Sequence, residues 1–235
     1  MPAHYARAAR KDDQMSNFNF PPGRIPSRNA LKALSALTLA MTGLPGQSAQ
    51  ASNDYVRPPA VPTSIQVPDG NEAFLVGRGI GTQNYHCSPS GAGFAWILFT
   101  PEAVLLSDSG GQITSHFFGP NPREPNVDPT VVAQGTIRAA WRHSRDSSTV
   151  WGRAFPPSFD PEFVRPNSVP WLLVETKGTV EGPGGGDTLT RTTFIQRVNT
   201  SGGLAPSTGC AAAADVGRKA FVPYEADYFF FRRKR

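Results

Sequence analysis

His116 is the side chain of this sequence with the clearest potential for acid–base or ligand chemistry. It lies in the run QITSHFF, residues 112–118, and on a strand it would share a face with Thr114 and Phe118. A histidine in such a place can act as an acid, a base or a ligand. The alternative is a half-buried histidine whose ring only bonds a nearby carbonyl group. Catalysis would require a carboxylate within hydrogen-bond reach of the ring.

The two carboxylates that could complete such a site are those of Glu175 and Asp108. Glu175 interrupts the apolar run WLLVETK, and a carboxylate on an apolar strand face is costly unless it is paired. It could form an ion pair with Arg191 or Arg197 on the next strand, or it could act as a general acid. Two carboxylates beside a sugar bond would form a glycosidase site, with Asp108 or Asp146 as the second group. No spacing in the sequence establishes that pair.

Large aromatic side chains provide a second kind of candidate site. Tyr85, Trp141, Trp151 and Trp171 could form a platform on which a sugar ring stacks. The alternative is that these rings belong to the hydrophobic core, where large aromatic side chains are often buried. The sequence leaves both interpretations open.

Other kinds of chemistry find little support in the sequence. There is no G-x-S-x-G motif for a serine nucleophile. The glycines of residues 77–81 come closest to a dinucleotide-binding motif, but no helix is predicted after them. The histidines and cysteines show no spacing typical of a metal site. We therefore predict neither a cofactor nor a metal.

The elements that must position the candidate residues are predicted to be strands. Short apolar runs alternate with turn signals and no run shows a convincing helical period, so the sequence predicts an all-β fold of about nine short strands. Both a sandwich and a barrel fit this pattern. Residues 73–76 and 81–87 are separated by a Gly-rich kink, and residues 94–100 and 104–107 by a proline turn.

The N-terminal segment has the pattern of a secretory signal. Basic residues precede the apolar run 33–44, and Ala49-Gln50-Ala51 provides the small residues of a cleavage site. A transmembrane anchor would need about 20 apolar residues, and this run is shorter and ends at Pro45. We predict a signal peptide over residues 1–51, with Met15 as an alternative start, and export to the periplasm or the extracellular space. N-terminal sequencing of the precursor and of the mature protein checks both predictions.

The predicted mature chain consists of one domain with two short extensions. A Pro-rich extended leader covers residues 52–70, a single β domain residues 71–231, and a basic tail residues 232–235. Residues 1–51 hold six of the 23 Lys and Arg and two of the 18 Asp and Glu, so the mature chain has 17 against 16. This balance gives no argument for a nucleic-acid partner. No transmembrane segment is predicted in the mature chain, and the pattern does not indicate an oligomeric state.

The sequence contains two cysteines, Cys87 and Cys210, and both lie in the predicted mature chain. In an oxidising compartment an isolated pair most simply forms a disulfide. A zinc site would need more ligands than this pair supplies. A redox-active pair would normally lie closer together, as in C-x-x-C. We predict a structural disulfide between them.

Several blocks of the sequence resemble one protein family. They include GIGTQNYHC, SHFFGP, IQRVNTSGGLAP and, near the end of the chain, VPYEADYFF. In this combination, over roughly residues 60–230, the chain resembles exported bacterial and fungal proteins that are grouped as a domain of unknown function. The resemblance implies an exported single domain in which Cys87 pairs with Cys210. It implies no established activity.

These observations favour a non-enzymatic exported protein that binds a carbohydrate or another small ligand in an aromatic pocket. The alternative is a hydrolase that acts on an extracellular polymer, with His116, Glu175 and Asp108 as its polar centre. A concave site that holds two of these three side chains together would favour the enzyme. Separate side chains, each with its own partner, would favour the binding or structural role.

Overall fold

The computed structural model describes residues 56–126 and 134–235, and it contains eight strands. The described residues contain no α-helix and two single turns of 3-10 helix, Thr63–Ile65 and Ala213–Asp215. The strands are β1 (Asn71–Ser90), β2 (Gly93–Leu106), β3 (Gln112–Asn121), β4 (Thr136–His143), β5 (Thr149–Ala154), β6 (Leu172–Val180), β7 (Thr192–Gly202) and β8 (Lys219–Arg233).

The strands form a closed antiparallel barrel. Each strand pairs with the next along the chain, and β8 returns to pair with β1. The length of β1 permits this closure, because its 20 residues pair with β8 from Asn71 and with β2 as far as Ser90. Closure leaves no open sheet edge. The predicted all-β fold is confirmed, and the barrel is the correct one of the two predicted architectures.

The barrel has eight strands against the predicted count of about nine, and the breaks predicted within β1 and β2 are absent. β1 runs without interruption through its Gly-rich part, where neighbouring atoms leave no room for a side chain at Gly79 and Gly81. A Cβ atom at Gly79 would lie 2.7 Å from the ring of Tyr228, and one at Gly81 would clash with the carbonyl oxygen of Glu102. β2 likewise continues through Pro101, at a point where it pairs with β1 but not with β3. These residues therefore shape the strands instead of ending them.

Alternate side chains form two separate hydrophobic clusters. In β8, Tyr224, Tyr228 and Phe230 belong to the cluster inside the barrel, together with residues such as Trp141. Phe229 and Phe231, which alternate with them at the end of the strand, belong to an outer cluster. That outer cluster packs part of the barrel wall against residues 56–67 and the loop between β5 and β6.

The predicted disulfide between Cys87 and Cys210 is confirmed. It joins the end of β1 to the loop between β7 and β8, with the two Cα atoms 5.4 Å apart. Hydrogen bonds support the junction on both sides: the Cys87 amide donates to the Arg218 carbonyl, and the Gly217 amide donates to the Cys87 carbonyl. The side chain of Cys87 is fully buried. The bridge therefore fixes the position of this loop at one end of the barrel.

The opposite end of the barrel is held by the carboxylate of Asp146 in the β4–β5 turn. It accepts hydrogen bonds from His143 Nδ1 (2.9 Å), from the amide and hydroxyl of Ser148 (2.9 and 2.7 Å), and from the amide and hydroxyl of Thr188 (3.0 and 2.6 Å). Burial alone would raise the pKa of Asp146, but the hydrogen bonds from Thr188 and Ser148 outweigh it and hold the pKa well below its usual range. Asp146 is therefore a structural anchor between two turns.

The two ends of the chain add little to the barrel itself. Residues 1–55, which include the predicted signal peptide and Met15, lie outside the described residues. Residues 56–70 of the predicted leader contribute the fully buried Ile65 to the outer cluster. β8 extends to Arg233, and Arg232 pairs with Glu72 at 3.0 Å, so half of the predicted basic tail is strand. In the described part of the chain, no helix has the length and apolar character needed to span a membrane.

Candidate ligand-binding cavity

A cavity of about 490 Å³ occupies one half of the barrel interior. Residues of all eight strands line it, together with Pro157, Val169 and Pro170 of the loop between β5 and β6, and it lies towards the end of the barrel opposite Asp146. Its wall includes the exposed residues Ile137, Arg153 and Ala154, which place an opening to solvent at this end. The volume falls in the range of roughly 300–1,000 Å³ that is typical of small-molecule sites.

Most of the cavity wall is apolar. It includes Leu98 of β2, Phe118 of β3, and Leu172 and Val174 of β6. Val169 adds to this wall from the loop before β6. These side chains reach the interior because alternate residues of a strand point to opposite faces. An apolar wall of this kind favours a ligand with a large apolar part.

His116 forms part of the polar side of the cavity. Its ring stacks on Trp141, with centroids 4.3 Å apart and planes 6° from parallel, and it also contacts Tyr228. Its Nδ1–H donates to the Ala140 carbonyl at 2.9 Å, because a carbonyl oxygen can only accept. Burial lowers the pKa of His116 to about 3, against the opposing effect of that hydrogen bond, and the charge of Arg197 lowers it further. The ring is therefore neutral at physiological pH, with Nε2 unprotonated.

Three tyrosines surround the same region. The hydroxyl of Tyr85 donates to the Gly203 carbonyl at 2.6 Å, and the hydroxyls of Tyr224 and Tyr228 lie 3.0 Å apart. Burial raises the pKa of all three phenols, and the positive charge of Arg197 opposes that increase. They remain neutral hydrogen-bonding groups at any physiological pH.

Arg197 is the charged group at the centre of this polar region. Its side chain is buried to nine-tenths, and its Nη2 donates to the Pro170 carbonyl at 2.8 Å. The guanidinium also interacts with the hydroxyl of Tyr228. Its Nε has no hydrogen-bond partner, and no carboxylate of residues 56–126 and 134–235 lies within ion-pair distance of it.

Two further buried donors without a well-aligned partner belong to residues of the cavity wall. One is Trp141 Nε1, and the other is Gln83 Nε2, although the Gln83 amide still interacts with the hydroxyl of Tyr224. Together with Arg197 Nε, they are three of the ten buried side-chain N and O atoms of the described residues that lack such a partner, and the other seven belong to residues outside the cavity wall. Buried polar groups in native proteins nearly always have a partner, so each such exception requires an explanation.

The structure does not bring the three predicted catalytic side chains together. Glu175 points away from the interior, because the neighbouring residues Leu172 and Val174 of the same strand occupy the inward face. Asp108 is an exposed residue of the β2–β3 turn, at the end of the barrel opposite the cavity. His116 therefore has neither carboxylate as a partner. The catalytic assignment stays a prediction, without support from this arrangement.

The partners of Glu175 differ from those that the sequence suggested. Its carboxylate contacts Lys177 at 2.6 Å and Arg153 at 3.5 Å, whereas Arg191 and Arg197 do not pair with it. Lys177 lies two residues further along the same strand face, and Arg153 lies directly opposite on β5. The hydrogen bond from Lys177 is the largest cause of the lowered pKa of Glu175, and burial opposes it. The expected ion pair thus exists with other partners, and Glu175 is held as a structural carboxylate.

The predicted aromatic platform is divided between different parts of the molecule. Tyr85 and Trp141 line the cavity. Trp171 instead packs in the outer cluster, edge-on to Phe163. Trp151 is buried but does not line the cavity. Tyr85 and Trp141 are placed where they could contact a ligand, and their binding role stays a prediction. Trp151 and Trp171 lie outside this cavity.

Sequence reasoning did not identify Arg197 and Gln83 as candidate binding residues. A signal for Arg197 was nevertheless available in the run FIQRVN, where it shares a strand face with the buried Ile195. An arginine on an inward face of an apolar strand must find an unusual partner. From the sequence, Arg197 was considered as an ion-pair partner of Glu175, and for that reason it was not considered as a binding residue.

The fold and the cavity together define a class of protein: a disulfide-linked, eight-stranded antiparallel barrel with a cavity in its interior. Residues 68–232 match the family described as "Protein of unknown function (DUF3455)", and the chain belongs to this family. No curated protein and no solved structure is significantly similar to the chain. The described residues contain no cluster of three or more His, Cys, Asp or Glu side chains that could hold a metal ion. Family membership assigns no activity.

Proposed function

We propose that this barrel is a non-enzymatic binding protein that holds one small ligand in its interior cavity. The observation that carries the proposal is the interior cavity of about 490 Å³, whose apolar wall also contains the buried guanidinium of Arg197 without a carboxylate partner among the described residues. A bound ligand would fill this space and supply the partner that Arg197 lacks.

The cavity wall favours a ligand that is mostly apolar over a carbohydrate. A sugar presents hydroxyl groups around its whole rim and requires polar partners on several sides. Here the polar groups are concentrated around Arg197, and aliphatic side chains such as Leu172 and Val174 form most of the remaining wall. Tyr85 and Trp141 provide aromatic surface for an apolar ligand equally well. The aromatic pocket thus remains part of the proposal, with an amphiphilic ligand in place of the sugar.

The hydrolase alternative has less support. A general base works best when its pKa lies near the operating pH, and the pKa of His116 is about 3 because the ring is buried. Glu175 and Asp108, the carboxylates that would assist it, lie outside the cavity wall. A binding role makes no such demand on His116, which can serve as a neutral acceptor.

Export remains part of the proposal. The signal pattern of residues 1–51 and the single disulfide are both typical of proteins that leave the cytoplasm. A barrel that carries an apolar ligand through an aqueous compartment would need to shield that ligand from water. An interior cavity provides such shielding.

A neutral fluorescent probe tests the proposed function. We expect N-phenyl-1-naphthylamine, which emits strongly in apolar surroundings, to bind the wild-type protein with one site per chain. Ala139→Trp should weaken this binding by at least about tenfold, because Ala139 lines the cavity and the added ring would fill it. Titration of probe fluorescence measures both quantities, and thermal unfolding confirms that the variant folds.

Ala92→Trp is the matched control for this test. Ala92 is exposed in the β1–β2 turn and does not line the cavity, so the same substitution there should leave binding unchanged. If Ala139→Trp does not fold, Ala154→Trp at the cavity opening replaces it. Absence of probe binding by the wild-type protein would contradict the proposal. Equal binding by the wild-type and Ala139→Trp proteins would contradict it as well.

A further inference from the structure

Arg197 points to the chemical class of the ligand. We propose, building on the proposed binding function, that the cavity takes an apolar monocarboxylate and that Arg197 binds its carboxylate group. A long-chain or medium-chain fatty acid has this chemistry. The inference rests on the missing counter-charge of Arg197, on the donor chemistry of its guanidinium, and on the apolar wall of the same cavity.

A buried guanidinium without a carboxylate is an unusual arrangement. Taking a charge out of water is costly unless a partner of opposite charge and further hydrogen bonds compensate it. Arg197 has a carbonyl and a hydroxyl as partners, both neutral, and the described residues that line the cavity include no Asp or Glu. A ligand anion would supply the missing negative charge.

The other two arginines of the cavity wall show the usual arrangement. Arg138 Nε donates to a Glu124 carboxylate oxygen at 2.9 Å, and Arg153 lies 3.5 Å from the carboxylate of Glu175. Their charges are thus compensated by the protein itself, at more exposed positions than that of Arg197. Of these three, Arg197 alone is left for a ligand.

The hydrogen-bonding atoms of a guanidinium are all donors. An ionised carboxylate only accepts, with two oxygens and about four lone-pair positions. Its chemistry is therefore complementary to the guanidinium of Arg197. A cationic ligand would instead be repelled by the same charge.

The guanidinium of Arg197 is also held in place before a ligand arrives. The Pro170 carbonyl accepts a hydrogen bond from Nη2, and Tyr228 provides a second contact. Charged hydrogen bonds of this kind are about twice as strong as neutral ones, and a fixed arginine fork loses little entropy when it binds.

Displacement of the neutral probe from the wild-type protein tests the ligand class. At pH 7.5 we expect decanoate to compete at least about tenfold better than 1-decanol, which has the same chain and no charge. Arg197→Met should lower the affinity for decanoate by about 10- to 100-fold, the effect of losing a charged hydrogen bond. The affinities for the neutral probe and for 1-decanol should fall less than that for decanoate, so the preference for decanoate is lost. Arg142→Met, which removes an exposed arginine that does not line the cavity, is the control and should keep the preference for decanoate.

The possible results separate the two proposals. A wild-type protein that binds the probe but competes equally with decanoate and 1-decanol would overturn the carboxylate proposal and leave the binding function intact. Retention of the preference for decanoate in Arg197→Met would also overturn it. Failure of the wild-type protein to bind the probe would instead contradict the binding function. If Arg197→Met does not fold, the comparison of the two competitors on the wild-type protein decides the question by itself.

Discussion

Removal of the Cys87–Cys210 disulfide is expected to lower the free energy of unfolding by roughly 4–5 kcal/mol. The bridge spans 123 positions, so it restricts a large part of the unfolded chain. Replacing both cysteines by alanine removes the cross-link without leaving a polar group at the buried Cys87 position. Equilibrium unfolding in guanidinium chloride, compared between the wild-type protein and the double variant, measures the difference.

Reduction provides the control for this prediction. The wild-type protein kept in reducing buffer should lose about as much stability as the double alanine variant, because both lack the same cross-link. The wild-type protein in oxidising buffer should show no free thiol when titrated, since both cysteines are bridged. A loss of less than about 1 kcal/mol in both reduced forms would contradict the chain-entropy explanation.

Acidification from pH 7.5 to pH 4.5 is expected to cost about 2–3 kcal/mol of stability through His116 alone. Burial of the ring lowers its pKa in the folded protein to about 3, from a usual value of 6.5. As the pH falls below about 6.5, the unfolded chain binds a proton at His116 before the folded protein does, so stability decreases. The decrease continues until the pH reaches about 3. At 1.36 kcal/mol for each pKa unit, two units give about 2.7 kcal/mol.

Other ionisable groups of the barrel interior and of the β4–β5 turn add little to this loss of stability. The phenols of Tyr85, Tyr224 and Tyr228 stay neutral throughout the range because burial raises each pKa. The guanidinium of Arg197 stays charged. The pKa of Asp146 is depressed in the folded protein, so its stabilising effect is complete above its unfolded value of 3.8 and is lost only below it.

His116→Asn isolates the contribution of this residue. An asparagine can still donate to the Ala140 carbonyl, but it does not titrate. Equilibrium unfolding at pH 7.5 and pH 4.5 should show a smaller loss in the variant than in the wild-type protein, by about 2–3 kcal/mol. Contributions of the other histidines cancel, because both proteins contain them. The same pH dependence in both proteins would show that His116 is not buried as a neutral ring.

Much of the fold could be predicted because strand periodicity is a local property. The alternation in β8 separates Tyr228 and Phe230 from Phe229 in the sequence alone, and the structure places them in the inner and outer clusters. The closure of the barrel is not local. It depends on pairing between β1 and β8, for example Leu75 with Phe230, and no pattern within either strand specifies that partner.

The candidate site was less predictable for the same reason. The alternation correctly placed Leu173 and Glu175 on one face of β6, but it did not show which face is inside. The partner of Glu175 depends on the register between β5 and β6, which sets Arg153 opposite it. The role of Arg197 depends on the lack of a carboxylate near it among the described residues of the closed barrel. Such an absence becomes visible only when all the neighbours are known.

The central claim is that Arg197 anchors a carboxylate inside the barrel, and the arginine Nε–Hε signals in a 15N-labelled protein test it most directly. Arg197→Lys identifies the signal of Arg197 by its loss. The claim predicts that this signal shifts when decanoate is added and stops shifting at one equivalent per chain, whereas the signal of exposed Arg153 moves little. If decanoate displaces the neutral probe while the Arg197 signal stays unchanged, the ligand is bound without Arg197, and the claim is wrong.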